Sequence, residues 1–336
     1  MISVVVPIYN EAKYIEACAR SIAAQDYPKD DLEVIFVDGM SNDGTREILA
    51  GLMQEYPWMR MEDNPQQIVP PAMNIGIRAA KGDTIVRMDA HAAFPANYLT
   101  ELVKQQAALH ADNVGGVCRA LPANDSPICK SIAAALSSSF GMGNSYFRIG
   151  TDEIRPVDTV PFGCFHRTLF DKIGYFDEQL IRNQDDEFNG RIIKHGGRIY
   201  LLPHLVIDYY TRDSIQKVWS MFYQYGLFKP LVNRKLGGPA TTRQFAPAFF
   251  VLALFFGILL APWSPWIAVL LALMVLLYLI LAFSTSIRTA SHENCRPMTF
   301  QMPLIFFIIH AAYGIGYLHG IFKLLTNSSF KVKSKR

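Results

Sequence analysis

The sequence lacks the features of several protein classes. Its five cysteines show no Cys-x-x-Cys spacing, which argues against a zinc site or a disulfide framework and favours reduced thiols. The net charge is only +3, and no basic stripe with interleaved aromatic residues is present, so nucleic acid is not an expected partner. The first residues have no basic start and no small-residue cleavage site, so a signal peptide is not expected either.

Charged residues become scarce after position 243. Two long apolar runs, residues 245–261 and 266–283, are separated by a Pro-Trp-Ser-Pro turn at 262–265. Their length and lack of polar residues predict a transmembrane hairpin and not a pair of buried core helices. These runs hold no acidic residue that would couple ion movement to transport, which disfavours a transporter. A third apolar run, residues 303–325, is interrupted by two histidines and a lysine.

Basic residues around the hairpin predict its orientation. Both flanks are expected in the cytoplasm because basic residues precede the first run and follow the second. These residues are Arg234, Lys235, Arg243, Arg288 and Arg296. If the third run also crossed the membrane, the basic tail at 326–336 would lie outside, against the positive-inside tendency. A third helix that is re-entrant or lies at the interface, with its tail near anionic headgroups, therefore stays open as an alternative.

The first half of the chain alternates short β-branched runs with helical patterns. This alternation predicts an α/β domain with a largely parallel sheet. Strands are predicted at residues 2–6, 32–37 and 84–88, and helices at 11–24, 45–56 and 74–80. Polar residues follow the carboxyl ends of three strands, where open α/β sheets bind their ligands. We therefore expect the functional site at that edge of the sheet.

Three polar groups at these positions are candidates for the chemistry. Asp38 begins an Asp-Gly turn and offers an oxygen that could accept a hydrogen bond from a nucleotide base, although a simple turn and helix cap explains this residue better when it is taken alone. Asp89 and His91 are two residues apart in an extended segment, so both point to one face and approach the same ion or phosphate. The Asp185-Asp186-Glu187 cluster either stabilises a helix start or contains a tuned general base.

Together these motifs resemble the family 2 inverting glycosyltransferases over roughly residues 1–230. The succinoglycan-type exopolysaccharide transferases, which carry a C-terminal membrane segment, are the most similar in pattern. The matching positions are Pro7-Ile8-Tyr9-Asn10-Glu11, Val37-Asp38, Ser41-Asn42-Asp43-Gly44-Thr45, Asn74-x-Gly76, Gly82-Asp83, Asp89-x-His91, Gly163, Gly174-x-Phe176-Asp177 and the acidic cluster.

The resemblance implies a GT-A fold with a mixed, mainly parallel sheet and a nucleotide-diphosphate sugar donor, preferably a UDP-sugar. By position, the nucleotide-sugar would be bound by Pro7, Tyr9, Glu11, Asp38, Asn74 and Asp89. It also implies a Mg or Mn ion, held by Asp89 and by His91 in place of the usual second Asp. An imidazole is a plausible Mn ligand and a poorer Mg ligand, so the metal preference stays open.

The resemblance also places the general base. Asp185 falls at the Asp of the family's Glu-Asp motif, and Asp186 is the second candidate. The usual preceding Glu is replaced by Gln184, which removes a like charge beside the base. No Arg-Trp pair follows Gln224, where processive synthases carry Gln-x-x-Arg-Trp, so a non-processive enzyme is expected.

These inferences predict a transferase on the cytoplasmic face of the inner membrane, with a lipid-linked saccharide of exopolysaccharide biosynthesis as acceptor. The expected organisation is a GT-A domain at 1–230, a basic amphipathic linker at 231–244, a membrane segment at 245–325 and a basic tail at 326–336. The alternative is a catalytically weak, membrane-bound nucleotide-sugar sensor or scaffold, because position 184 lacks Glu and position 91 is His.

Overall fold

The computed structural model describes residues 1–239 and 241–330, which divide into two compact units. Of the described residues, the first unit contains Met1–Arg119 and Gly150–Tyr209, and the second contains Ala120–Ile149 and residues 210–330. This division differs from the expected boundary at residue 230, because residues 120–149 and 210–230 pack with the C-terminal apolar helices. The last six residues of the expected basic tail lie outside the described part of the chain.

The first unit is built on a mixed sheet of nine strands. The strands are β1 (Ile2–Ile8), β2 (Leu32–Asp38), β3 (Met59–Asp63), β4 (Thr84–Arg87), β5 (Ala92–Ala93), β6 (Asn113–Leu121), β7 (Arg155–Pro156), β8 (Cys164–His166) and β9 (Ile199–Tyr210). Their order is β3-β2-β1-β4-β8-β6-β9-β5, and β7 pairs with β9. Strands β3, β2, β1 and β4 are parallel, whereas β8 runs antiparallel to β4 and β6.

The expected mainly parallel α/β sheet is therefore confirmed. Strands β1 and β2 are buried along their whole length, as their continuous apolar sequences require of a parallel sheet covered on both faces. The helices of this unit are α1 (Ile15–Ala23), α2 (Thr45–Glu55), α3 (Val69–Ala79), α4 (Tyr98–Leu109), α8 (Arg167–Ile173) and α9 (Gln184–Lys194). Helix α3 begins five residues before the predicted start, because Pro70 and Pro71 sit in its first turn, where a missing N–H costs nothing.

The second unit is helical. Its helices are α5 (Pro127–Leu136), α6 (Ser139–Met142), α7 (Tyr146–Ile149), α10 (Ile215–Leu236), α11 (Ala246–Leu260), α12 (Pro265–His292) and α13 (Met298–Leu325). Within the described residues, three helical segments are long and apolar enough to cross a membrane: Thr242–Trp263, Pro265–His292 and Met298–Leu325. The first two form the expected apolar hairpin.

Helix α12 continues nine residues beyond the predicted end of the second apolar run. The sequence there turns polar, but serine and threonine hydroxyls bond back to the helix instead of ending it. Ser286 Oγ donates to the Ala282 carbonyl oxygen at 2.7 Å, and Thr289 Oγ1 donates to that of Thr285 at 3.0 Å. Apolar run length therefore underestimates this helix.

Helices α10 and α13 pack with their backbones in contact. A Cβ atom on Gly316 would collide with the carbonyl oxygen of Tyr223, and one on Gly320 would collide with that of Leu227. Gly226 of α10 is equally close to the backbone of α13. Small residues at a helix crossing permit this approach. The Gly-x-x-x-Gly spacing at 316 and 320 is therefore a packing feature.

We predict that Gly316→Ala destabilises the protein by about 1–3 kcal/mol, because the added methyl forces α10 and α13 apart. The measurement is the thermal unfolding midpoint of the detergent-solubilised protein. Gly51→Ala is the matched control, since a Cβ atom on Gly51 in helix α2 meets nothing within 4 Å. It should leave the midpoint unchanged or raise it. Equal midpoints for the two variants would contradict the close helix contact.

Candidate active site

The loops after β1 and β2 lie against each other at the carboxyl ends of these strands. The ring of Tyr9 packs on Gly39, where an added Cβ atom would lie 3.0 Å from Tyr9 Cδ2. Asp38 is fully buried and accepts hydrogen bonds from the Ser41 backbone N–H at 3.0 Å and its hydroxyl at 2.5 Å. Arg46 Nη1 lies 2.6 Å from Asp38 Oδ2. The carboxylate thus fixes the loop where a nucleotide base is expected, and base contact by Asp38 stays a prediction.

The Ser-Asn-Asp-Gly-Thr motif ties the loop after β1 to the start of α2. The Asn10 backbone N–H donates to Ser41 Oγ at 2.7 Å, and that of Glu11 donates to Thr45 Oγ1 at 2.8 Å. Asp43 accepts from the Thr45 backbone N–H at 3.1 Å, as expected of a residue at a helix start. Glu11 is therefore held in place through its own backbone.

At the end of β4, the guanidinium of Arg87 joins two carboxylates that are far apart in the sequence. Arg87 Nε donates to Asp89 Oδ1 at 3.0 Å, and Nη2 donates to Oδ2 at 3.3 Å. Arg87 Nη1 donates to Asp185 Oδ1 in the first turn of α9. The arginine side chain is only 7% exposed. The structure thus brings together the two acidic groups that the sequence places at the donor diphosphate and at the acceptor.

These contacts set the ionisation of the group. Burial raises the pKa of Asp185, Arg87 opposes that shift, and Asp89 and Asp186 add to it. The Asp185 side chain nevertheless stays 34% exposed, so it remains accessible to a reactant. Burial on its own would lower the pKa of Arg87, but Asp185 and Asp89 together raise it above the ordinary value. Arg87 is therefore a permanent cation between carboxylates.

Glu11 and His91, both expected in the site, lie side by side. His91 Nδ1 is 3.4 Å from Glu11 Oε1, and the imidazole packs on the ring of Tyr209 at 5.7 Å between centroids. Asp89 and His91 stay the two predicted protein ligands for an ion, and the described residues contain no group of three or more His, Cys, Asp or Glu side chains arranged for one. Two ligands fit a divalent ion that is also held by substrate phosphates. A carboxylate beside an imidazole typically orients a metal-binding histidine.

Asn74, a predicted donor-binding residue, uses its side chain to hold a neighbouring loop. Its Nδ2 donates to the Phe176 carbonyl oxygen at 2.9 Å and to Glu178 Oε1 at 2.8 Å. Its Oδ1 accepts from the Phe176 backbone N–H at 2.9 Å. Asn74 is almost fully buried, at 2% exposure. The geometry favours loop positioning, while donor binding by this residue stays a prediction.

A cleft opens beside the carboxyl end of β1. Pro7 and Tyr9, both expected near the nucleotide, line one side, and Gln67 lines another. Ile181 and Arg182 reach the same cleft from the segment before α9. The cleft measures about 430 Å³ including the solvent at its mouth. Its position matches the edge of the sheet where ligands bind in open α/β folds.

Backbone strain is concentrated around this edge of the sheet. Five non-glycine residues with positive φ lie in the loops that surround it. They are Asn10, Met40, Gln67, Phe162 and Asn183. Such conformations cost about 1–3 kcal/mol each and tend to occur where a binding site fixes the backbone. The backbone conformations of these loops therefore favour a role in binding, since they lower the stability of the fold.

The predictions from the sequence did not include Arg87, and they left open whether the acidic cluster that contains Glu187 stabilises a helix start or contains a base. Arg87 lies two residues before Asp89, so in an extended chain the two side chains are on the same face. This spacing is the signal in the sequence that identifies Arg87. Glu187 is tied to Arg191, with 2.7 Å between Oε1 and Nε and 2.9 Å between Oε2 and Nη2. This pair anchors the acidic turn of α9, because Arg191 also donates to the carbonyl oxygens of Ile173 and Tyr175.

The chain is similar to known proteins over most of its length. The family model described as "Glycosyl transferase family 2" matches residues 3–174. The succinoglycan biosynthesis protein ExoA of Rhizobium meliloti is 31% identical over 263 residues, covering 77% of each chain. A Methanococcus voltae enzyme is 28% identical over 339 residues, covering 98% of this chain and 99% of its own. Its name is dolichyl N-acetyl-alpha-D-glucosaminyl phosphate 3-beta-D-2,3-diacetamido-2,3-dideoxy-beta-D-glucuronosyltransferase.

One solved structure supports the fold. It is the mannosyltransferase PcManGT from Pyrobaculum calidifontis in complex with GDP-Man and Mn2+, which superimposes with a TM-score of 0.57. The match covers 93% of this chain and 86% of that one, at 22% identity. The expected GT-A fold is therefore confirmed.

We predict that Asn74→Ala lowers the free energy of unfolding by about 1–3 kcal/mol, because three buried hydrogen bonds are lost. The measurements are chemical unfolding and the donor KM of the same variant. If Asn74 acts by positioning the loop, stability falls and donor KM changes less than threefold. A normal unfolding curve together with a large rise in donor KM would instead make Asn74 a direct donor contact.

Proposed function

Because the chain belongs to glycosyl transferase family 2, we propose that it is a membrane-anchored, inverting enzyme. It transfers one sugar from a nucleotide-diphosphate donor, preferably a UDP-sugar, to a lipid-linked saccharide. The observation that carries the proposal is the Arg87 bridge between Asp89 and Asp185, beside the cleft lined by Pro7 and Tyr9. This bridge puts a carboxylate suited to proton removal next to one suited to the donor diphosphate.

The chemistry follows from these placements. Asp185 takes a proton from the acceptor hydroxyl while that oxygen attacks the anomeric carbon from the face opposite the diphosphate. The anomeric configuration inverts in a single displacement. The neighbours of Asp185 favour this role, because a pKa raised by burial makes a carboxylate a stronger base while Arg87 keeps it ionised. Asp186, next in the same turn, is the second candidate.

A divalent ion would be held by Asp89 and His91. When bound, it would neutralise negative charge that develops on the leaving diphosphate. Glu11 would orient the His91 imidazole through Nδ1. An imidazole ligand favours Mn over Mg.

The acceptor proposal rests on the membrane helices and on the relatives. The Methanococcus voltae relative is named for a dolichyl phosphate-linked sugar, and the Rhizobium meliloti relative for succinoglycan biosynthesis. An apolar hairpin of this chain would hold the enzyme at the bilayer that contains such a lipid. Confinement of both partners to one surface raises their effective concentration. The first unit is proposed to face the cytoplasm, because basic residues flank the hairpin.

The direct test is transfer by the purified enzyme. A panel of UDP- and GDP-sugars is supplied with Mn or Mg and a polyprenyl-diphosphate-linked saccharide in detergent, and the product is analysed for its anomeric configuration. We expect transfer of one sugar, with inversion, from at least one donor. Donor binding without turnover on any acceptor would contradict the proposal and indicate a sensor.

We predict that Asp185→Asn reduces kcat by at least a thousandfold and leaves the donor dissociation constant within about threefold, because only the base is removed. Turnover and donor binding by calorimetry are the two measurements. Asp186→Asn is the matched control and should lose less than tenfold in kcat. The opposite ranking of the two variants would transfer the role of base to Asp186.

We predict that Arg87→Gln moves the acidic limb of the pH–rate profile to higher pH. Arg87 lowers the pKa of Asp185, so its loss leaves the raising effects of burial, Asp89 and Asp186 unopposed. The base must be ionised, so a higher pKa means activity only at higher pH. Arg119→Gln, which removes an exposed arginine paired with Asp208, is the control and should leave the profile unchanged. An unshifted limb in Arg87→Gln would contradict electrostatic control of Asp185 by Arg87.

A further inference from the structure

Helix α13 differs from the other two apolar helices of the second unit. Half of its most apolar window is buried within the protein, against 6% for each of the other two. Its polar side chains are satisfied by protein groups. Gln301 Oε1 accepts from Ser131 Oγ at 2.9 Å, and His310 Nδ1 lies 2.9 Å from Tyr278 Oη. Its length and composition are those of a membrane-spanning helix, but half of its apolar window contacts protein groups.

Contacts between α11 and α12 show which residues of the hairpin lie opposite each other. The position of α13 along the hairpin can be read from these pairs. The rings of Phe250 in α11 and Tyr278 in α12 stack at 4.8 Å between centroids, so these residues are at one height. Further toward the tip, a Cβ atom on Gly257 would touch Leu271. The feet of the hairpin are therefore near residue 245 on one side and residue 283 on the other.

Helix α13 contacts the half of the hairpin that is nearer to its feet. Phe300 contacts Phe283, at one foot of the hairpin. Ten residues later, His310 lies against Phe250 and Tyr278, about 8 Å higher. These contacts alone would fit a helix that climbs along the hairpin.

The next contacts reverse that direction. Gly314 lies between Pro247 and Val251 of α11, and Tyr317 contacts Phe245 at the other foot. The path from residue 300 to residue 317 covers about 26 Å of helix. If α13 ran parallel to the hairpin, its contacts at residues 300 and 317 would be about 26 Å apart along the hairpin axis. Since they return to the feet, α13 crosses the base of the hairpin transversely.

The two long faces of α13 have different surroundings. One face packs closely on α10 through Gly316 and Gly320, on α5 through Gln301 and on α6 through Phe306. The opposite face carries an exposed apolar stripe. Its members are Phe300, Leu304, Phe307, Ile315, Phe322 and Leu325. The hairpin extends away from α13 next to this stripe, since Phe300 and Phe307 contact hairpin residues. The stripe therefore continues the apolar surface of the hairpin.

The charges agree with this geometry. No charged residue occurs from position 244 to 287, whereas Arg243, Arg288 and Arg296 flank the two feet of the hairpin. Arginines at the ends of apolar helices mark the level of the lipid headgroups. The feet, and the helix that crosses them, are thus at that level.

We infer that α13 does not cross the membrane but lies in the plane of the bilayer surface, with its apolar stripe in the acyl boundary. The partner of this stripe is the lipid of one leaflet, continuous with the lipid around the hairpin. Both ends of α13 are then on the side of the membrane from which the hairpin enters. The inference does not depend on sugar transfer, since it concerns the second unit alone.

The first test uses the two ends of α13. Glu293→Cys and Ser329→Cys are made separately in a Cys295→Ser background, in which the four remaining cysteines are buried. A membrane-impermeant maleimide is applied to inverted and to right-side-out membrane vesicles. We expect both cysteines to be labelled in the same kind of vesicle. Labelling of the two in opposite kinds of vesicle would overturn the inference.

The second test measures depth. Nitroxides at cysteines replacing Leu304, Ile315 and Phe322 are read by collisions with oxygen and with a water-soluble nickel complex. A helix in the plane gives three equal, shallow depths, whereas a spanning helix separates the outer two by about 27 Å. Unequal depths, or three fully aqueous positions, would each overturn the inference. Because Asp185→Asn should give the same depths, failure of the proposed catalysis is distinguishable from failure of this inference.

Discussion

The candidate site depends on the position of the Arg87 guanidinium, which contacts a carboxylate on either side of it. Asp89 comes from the end of a strand and Asp185 from the start of a helix, and without a cation between them the two would repel. A planar guanidinium has enough donors to bond both carboxylates at once and holds them in one plane. A lysine ammonium has fewer donors, and they do not lie in a fixed plane. The sheet supplies the position, since Arg87 is the last residue of β4. The start of α9 is in turn held by the Glu187–Arg191 pair.

The second unit uses a different means to combine apolar and polar groups. Close backbone packing between α10 and α13 is possible because glycines occupy the crossing. Polar side chains within these helices are directed at each other, as in the contact of Tyr223 with His319 and of Asn233 with Tyr317. The outer surface of the hairpin is left to large apolar side chains. The same unit therefore presents apolar side chains outward and directs polar side chains at each other inward.

The sequence predicted the elements of the first unit well, because continuous β-branched runs such as residues 2–8 have few alternatives to a buried parallel strand. It predicted the edge of the sheet where polar residues gather, since strand ends are local features. It did not predict the Arg87 bridge, because Asp185 reaches Arg87 only after the sheet has assembled. Nor did it place residues 120–149 with the apolar helices, since the partners of α5 occur much later in the chain.

The contact of α5 with α13 implies an order of events during synthesis. Ser131 of α5 bonds Gln301 of α13, and 170 residues separate them in the sequence. At ribosomal speeds, α13 emerges on the order of 10–30 seconds after α5. Every described residue of the first unit has been made before the hairpin begins. The apolar face of α5, by contrast, stays without its final partner throughout that interval. Helix α5 can therefore complete its packing only after the C-terminal helices have been made.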